Sequence, residues 1–146
     1  MKDLRASVRS NPAPALHERL REEVCRAHRH ALPLTLVLFR VAPRHNSAGS
    51  LDELTRAAVV LTRAVVRRSD VVGPLGGGRF GVVANATADG AGCLAAALAR
   101  HLEAFEFGCA DGPVTLQVSY SLCSLDEAMT ADRLFDQAHA GLRMPR

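Results

Sequence analysis

The chain has 146 residues, 48% of them hydrophobic, and a formal net charge of +3 at pH 7. That length supports one domain with a core of its own, and the charge is modest. The positive charge is almost all arginine, because Lys2 is the single lysine, and guanidinium groups form planar, bidentate pairs with phosphate. Aromatic residues make up only 4% of the chain. This is too few for a platform that stacks single-stranded bases, so we expect no nucleic-acid partner.

The chain carries no sign of a membrane segment or of an oxidising compartment. No apolar run approaches the length that crosses a bilayer, and the polar, basic segment Met1–Ser10 is unlike a signal peptide. We therefore expect a cytoplasmic protein without a membrane partner, with a tail or linker remnant at 1–11 and a single domain at 12–146. Four scattered cysteines are predicted to be small buried hydrophobes rather than disulfide partners or zinc ligands: Cys25, Cys93, Cys109 and Cys123.

The first predicted element is an amphipathic helix over residues 13–31. Leu16, Leu20 and Val24 recur at the spacing of one helix face. The other face of this helix carries a run of charged residues that is expected to be solvated: Arg19, Arg21, Glu22, Glu23, Arg26 and Arg29.

A buried strand and a second helix follow. The nearly continuous apolar run 34–39 predicts a central strand covered on both faces, with Arg40 at its polar end. Ser50 is a plausible helix cap, with Glu53 three residues later, and the helix is expected over about residues 51–67. Three arginines share one stripe of that helix: Arg56, Arg63 and Arg67.

The second half predicts a hairpin, a helix, a strand and a final helix. The hairpin runs over 70–84 around the turn Gly76–Gly78, and period-two alternation indicates a half-buried strand over 114–122. Ser124 or Thr130 caps the last helix. The resulting order predicts an α/β (α+β), ferredoxin-like fold, in which helices cover a mainly antiparallel central sheet of about five strands.

Several short motifs occur in a fixed order along this framework. They are Asp52-Glu53-Leu54, Arg67-x-x-Asp70, Gly76-Gly77-x-x-Phe80, Val118-Ser119 and Ala131-Asp132 with Leu134-Phe135 and Ala138. In this order and spacing, over about residues 12–143, the chain resembles a GGDEF domain, the family of bacterial diguanylate cyclases. The resemblance implies a nucleotidyl-cyclase-like fold. It also implies a reaction that joins two GTP molecules into cyclic di-GMP, with metal ions held by carboxylates.

The same comparison implies that the catalytic positions are degenerate. Gly78 and Arg79 stand where the family has two hairpin acids. Arg40 replaces a metal-binding aspartate, and His139 replaces a phosphate-binding lysine. Because guanidinium groups repel Mg²⁺, we predict no diguanylate cyclase activity, no metal and no cofactor. The degenerate positions are Arg40, Gly76, Gly77, Gly78, Arg79 and Phe80.

Arg67-x-x-Asp70 matches the family's inhibitory site, which the resemblance implies binds cyclic di-GMP. A guanidinium pairs with phosphate or with the Hoogsteen edge of guanine, and a carboxylate accepts from guanine N1 and N2. Three further arginines are candidate helpers: Arg63, Arg68 and Arg100. The alternative is a surface ion pair at a helix end, which contributes about 0–1 kcal/mol.

Three functions are therefore open. The first is a catalytically inactive effector that binds cyclic di-GMP through Arg67 and Asp70 and alters contacts with an unidentified protein partner. The second is a nucleotide-independent interaction module for dimerisation or scaffolding, with a homodimer among its open partners. The third is a non-catalytic GTP binder in which Arg40 and Arg79 hold the triphosphate. The short loop between Arg40 and Asp52 argues against it.

Overall fold

Ten helices and strands follow one another in residues 12–44, 50–109 and 112–142, the part of the chain that the computed structural model describes. In chain order they are α1 (Pro12–His30), β1 (Thr35–Pro43), α2 (Leu51–Val65), β2 (Val71–Gly76), β3 (Arg79–Ala84), α3 (Ala88–Ala104), β4 (Phe107–Cys109), β5 (Gly112–Val114), β6 (Leu116–Ser124) and α4 (Ala131–Ala140). No helix within these ranges has the length and apolar composition that crossing a bilayer requires. The predicted tail at 1–11 lies outside the described residues.

The main sheet has the strand order β2–β3–β1–β6, and each neighbouring pair is antiparallel. The split βαββαβ connection confirms the ferredoxin-like prediction. The sheet has four strands rather than about five, because β4 and β5 pair only with each other in a separate two-stranded ribbon. The sequence reading missed this ribbon and assigned Val114 to the following strand.

Two cores lie on opposite faces of the sheet, and β1 contributes to both. Val37 and Phe39 pack with residues of α2 and α3, whereas Leu36 and Leu38 pack with residues of α1 and α4. Successive side chains of a strand point to opposite faces. The unbroken apolar run is thus explained by a strand that is covered on both sides, as predicted.

β1 is longer than predicted and continues to Pro43, so Arg40 lies inside the strand rather than at its end. The cause is β6, whose nine residues pair with β1 along its whole length, as far as Leu116 opposite Pro43. Arg40 stands directly opposite Arg79 of β3 and Ser119 of β6.

Glu23 departs from the predicted solvated face of α1, since only 8% of it is exposed. It lies three residues after Leu20 and four before Ala27, both of which are buried, so helix geometry turns it inward. Its Oε1 has no hydrogen-bond partner, and the guanidinium groups of Arg19 and Arg26 are 4.0 and 3.9 Å from its carboxylate oxygens.

The cysteines also differ from their predicted burial. Cys25 and Cys93 are exposed, and Cys123 is half-buried. The Cys123 thiol donates to Oε1 of Gln137 over 3.3 Å, and its pKa is raised by burial and by the nearby charge of Asp126. The side chain of Cys109 lies outside the described part of the chain.

Candidate functional site

A pocket of about 160 Å³ lies where α2 ends and the chain turns into β2. It is formed by the end of α2, the end of β3 and the start of α3. Its lining residues are Val65, Val66, Arg67, Asp70, Ala84, Ala86, Gly90 and Leu94. Most of the wall is therefore apolar, and Arg67 and Asp70 supply its charged groups.

Asp70 ties the loop that follows α2 to the end of β3. Its Oδ2 accepts from the backbone N–H of Arg67 over 3.2 Å, and its Oδ1 accepts from the backbone N–H of Asn85 over 3.1 Å. The backbone N–H of Asp70 donates to the Arg67 carbonyl over 3.0 Å, and Asn85 Nδ2 donates to the Ser69 carbonyl over 2.7 Å. The carboxylate thus has a structural role, while each of its oxygens keeps a second lone pair for another donor.

The structure brings two of the five predicted ligand-binding residues together, Arg67 and Asp70. The Arg63 guanidinium donates to the Val72 carbonyl of β2 over 3.0 Å. Arg68 is exposed in the loop outside the pocket lining. Arg100 lies six residues along α3 from Leu94, the nearest lining residue on that helix, which is about 9 Å along the helix axis, and it does not line the pocket.

The sequence reading missed the contribution of α3 to this pocket. Thr87 caps α3, and its side chain accepts from the backbone N–H of Gly90 over 3.4 Å. Thr is a common cap, so Thr87 in the sequence indicates a helix start at Ala88. The helix therefore directs the positive end of its dipole toward this end of the pocket.

The glycine hairpin closes through a tight two-residue turn. Gly76 pairs with Arg79 across a two-residue turn in which Gly77 and Gly78 have φ values of +63° and +77°, as in a type I′ hairpin. Gly76 is also at positive φ, +85°. Phe80 is fully buried, and its ring stacks on Phe39 with centroids 4.9 Å apart.

The hairpin leaves no room for an acid at Gly78. The backbone N–H of Val41 donates to the Gly78 carbonyl over 2.8 Å. A Cβ added to Gly78 would lie 2.7 Å from the Val41 carbonyl oxygen and 3.2 Å from a methyl group of Leu51. Either the turn or β1 would have to move before this position could carry any side chain.

The Mg²⁺ ions that a cyclase would use do not fit these residues. Mg²⁺ needs oxygen ligands, usually carboxylates. Arg40, Gly78 and Arg79, which the resemblance aligns with the family's acids, offer two half-buried guanidinium groups and a glycine without space for a side chain. Across residues 12–44, 50–109 and 112–142, no three His, Cys, Asp or Glu side chains are grouped to hold a metal.

The Arg79 side chain folds back on the hairpin instead of pointing into open space. Its Nε donates to the Gly76 carbonyl over 3.1 Å, and its Nη2 lies 3.4 Å from the Leu75 carbonyl. Its Nη1 lies 2.7 Å from Nε2 of His139 on α4. Arg79 therefore links the hairpin to α4 through His139.

No protein-family model matches the sequence, and no curated protein matches it. Among solved structures, the FimX GGDEF domain from Pseudomonas aeruginosa aligns with a TM-score of 0.77 and 17% identity, over 88% of this chain and 83% of that chain. The GGDEF domain of DgcB from Caulobacter crescentus, solved in complex with c-di-GMP, aligns at 0.76 and 12% identity over 88% and 80% of the two chains. The active GGEEF domain of a diguanylate cyclase from Vibrio cholerae aligns at 0.74 and 19% identity over 88% and 86%. The chain therefore has the fold of a GGDEF domain.

Proposed function

We propose that this chain is a catalytically inactive GGDEF-like domain that binds cyclic di-GMP at the Arg67–Asp70 pocket and thereby alters its contacts with a protein partner. The observation that carries the proposal is the pocket itself. One guanidinium and one carboxylate meet there on an apolar wall beside the N-terminus of α3.

The chemistry of the pocket suits a guanine nucleotide. Arg67 is exposed and lines the pocket, so its guanidinium is available for a phosphate or for guanine O6 and N7. Val65, Val66 and Leu94 offer an apolar surface for one face of a base. The c-di-GMP complex of the DgcB domain supports the choice of ligand class.

The absence of cyclase activity is part of the proposal and is supported by the hairpin. A cyclase needs metal-bound carboxylates at the degenerate positions, and here Gly78 has no space for a side chain. Arg79 is engaged with two backbone carbonyls and His139. The same contacts argue against the GTP-binding alternative, because a triphosphate would have to displace all three.

Calorimetric titration of the purified chain with cyclic di-GMP tests the proposal. Hydrogen bonds to a charged group contribute about 1.5–3 kcal/mol, so Arg67→Ala is expected to weaken binding by about 10- to 150-fold. Arg56→Ala is the control, because Arg56 is an exposed arginine on α2, the helix that precedes Arg67, and it lies outside the pocket lining. Equal loss in both variants would indicate non-specific attraction between charges. No binding of cyclic di-GMP to the wild type in the micromolar range would refute the proposal.

The nucleotide-independent interaction module is the second candidate, and two observations favour it. Asp70 already accepts two backbone hydrogen bonds, and Arg63 already donates to Val72. A motif with these structural roles persists without a ligand. If cyclic di-GMP and GTP both fail to bind while the chain stays folded, the interaction module becomes the better account.

A further inference from the structure

The Arg79 side chain, at the tip of the hairpin, is attached to α4 by a side chain–side chain hydrogen bond. Arg79 Nη1 and His139 Nε2 are 2.7 Å apart, although 60 residues separate them in sequence. The His139 ring also stacks on Phe135 of the same helix, with centroids 5.7 Å apart, and Phe135 contacts the ring of His17 on α1 at 4.4 Å. The contact therefore joins the hairpin to the layer formed by α1 and α4.

The direction of the Arg79–His139 hydrogen bond is determined by the chemistry of arginine. A guanidinium remains protonated in proteins and can only donate, so Nε2 of His139 must accept. A histidine accepts only while it is neutral, with its proton on Nδ1. Protonation removes the accepting lone pair and places an imidazolium against a guanidinium, which repel each other.

We propose that the Arg79–His139 contact is an acid-sensitive latch, which holds the Arg79 side chain on α4 and releases it from α4 when His139 is protonated. Arg40 stands directly opposite Arg79 on β1. Release leaves Arg79 held by the Gly76 and Leu75 carbonyls alone, and the imidazolium adds a positive charge to this end of the sheet.

The charged groups around His139 indicate that its protonation separates Arg79 from α4 without unfolding α4. The charged or titratable side chains of α4 besides His139 are Asp132, Arg133 and Asp136, and those of the elements around it include Arg79 and Arg40 of the sheet, Cys123 of β6, and His17 and Arg21 of α1. Asp132 is 3.7 Å from Arg21. Asp136 precedes His139 by three residues and is exposed, so a protonated His139 has a carboxylate within reach on its own helix.

His28 provides a matched internal control. Its Nε2 lies 2.8 Å from the Met129 carbonyl oxygen. Since a carbonyl only accepts, His28 must donate, and it donates equally well after protonation. Acid is therefore expected to remove the His139 contact and to leave the His28 contact intact.

The test is a ¹H–¹⁵N NMR titration of the full chain from about pH 8 to about pH 5, a range that spans the titration of an ordinary imidazole. The readouts are the Nε–H signal of Arg79 and the ring nitrogens of His139. In the wild type the Arg79 signal is expected to shift with the same midpoint as the His139 ring. His139→Gln, whose amide oxygen accepts at any pH, is expected to abolish this shift, and His28→Gln to leave it unchanged.

The wild-type titration decides the proposal even if His139→Gln fails to fold. An Arg79 signal that stays constant while the His139 ring titrates would overturn it. So would a His139 ring that carries its proton on Nε2 at the alkaline end.

Discussion

Replacing Gly78 by alanine is expected to destabilise the chain by about 3 kcal/mol, because two costs add. A non-glycine residue at φ +77° is in the left-handed region, which costs about 1–2 kcal/mol. The new Cβ would also lie 2.7 Å from the Val41 carbonyl oxygen. The displacement needed to relieve such a contact costs about 1–3 kcal/mol.

Gly77→Ala separates these two costs. Gly77 has a similar φ of +63°, but a Cβ there would meet only Arg79 Nε at 3.8 Å, an ordinary contact. Gly77→Ala is therefore expected to destabilise the chain only through the strain of a non-glycine residue at positive φ, by about 1–2 kcal/mol. The difference between the two variants measures how tightly the turn lies against β1.

Urea unfolding followed by circular dichroism measures both variants. For a chain of this size, the loss of 3 kcal/mol lowers the melting temperature by about 6–12 °C, which provides an independent check. Equal destabilisation by Gly77→Ala and Gly78→Ala would refute the reasoning. It would mean that the turn does not lie against β1 and that an acid at position 78 has room after all.

Three further substitutions test the fold by urea unfolding. Asp70→Ala is expected to cost about 1–3 kcal/mol, because the backbone N–H groups of Arg67 and Asn85 lose their acceptor; an unchanged midpoint would contradict this. Ala31→Gly is expected to stabilise by about 1 kcal/mol, because Ala31 ends α1 at φ +53°; destabilisation would count against that cap. Glu23→Leu is expected to stabilise by about 1–2 kcal/mol, because it replaces a buried carboxylate whose Oε1 has no hydrogen-bond partner and whose ion pairs with Arg19 and Arg26 are long, at 4.0 and 3.9 Å; a loss of stability would indicate that these ion pairs outweigh the cost of burying the charge.

Local chemistry made much of the fold predictable. Ser50 accepts from the Glu53 backbone N–H, and Thr130, one of the two predicted caps, accepts from the Arg133 backbone N–H. Both caps act within three residues, so sequence spacing contains the whole interaction. The buried run of β1 was equally readable, because a strand covered on both faces lacks polar alternation.

What the sequence did not indicate depends on contacts between distant segments. The Arg79–His139 contact spans 60 residues, and no local pattern relates the two. Thr55 and Thr62 are buried on α2, although polar residues are expected at the surface. The Thr55 hydroxyl is satisfied inside, because it donates to the Leu51 carbonyl of its own helix. The charge of Glu23 predicted an exposed side chain, but its position between Leu20 and Ala27 on the buried face of α1 determines that it is buried.

The two residues of Arg-x-x-Asp carry different kinds of evidence. Asp70 holds the loop after α2 against the end of β3, so its presence is explained by folding alone and says little about a ligand. The Arg67 backbone takes part in the same hydrogen bonds, but its side chain is exposed at the pocket. A guanidinium without a structural role can be removed without disturbing the fold, and Arg67→Ala therefore tests binding cleanly where Asp70→Ala does not. The test of cyclic di-GMP binding therefore depends on the Arg67 side chain, which the fold does not need.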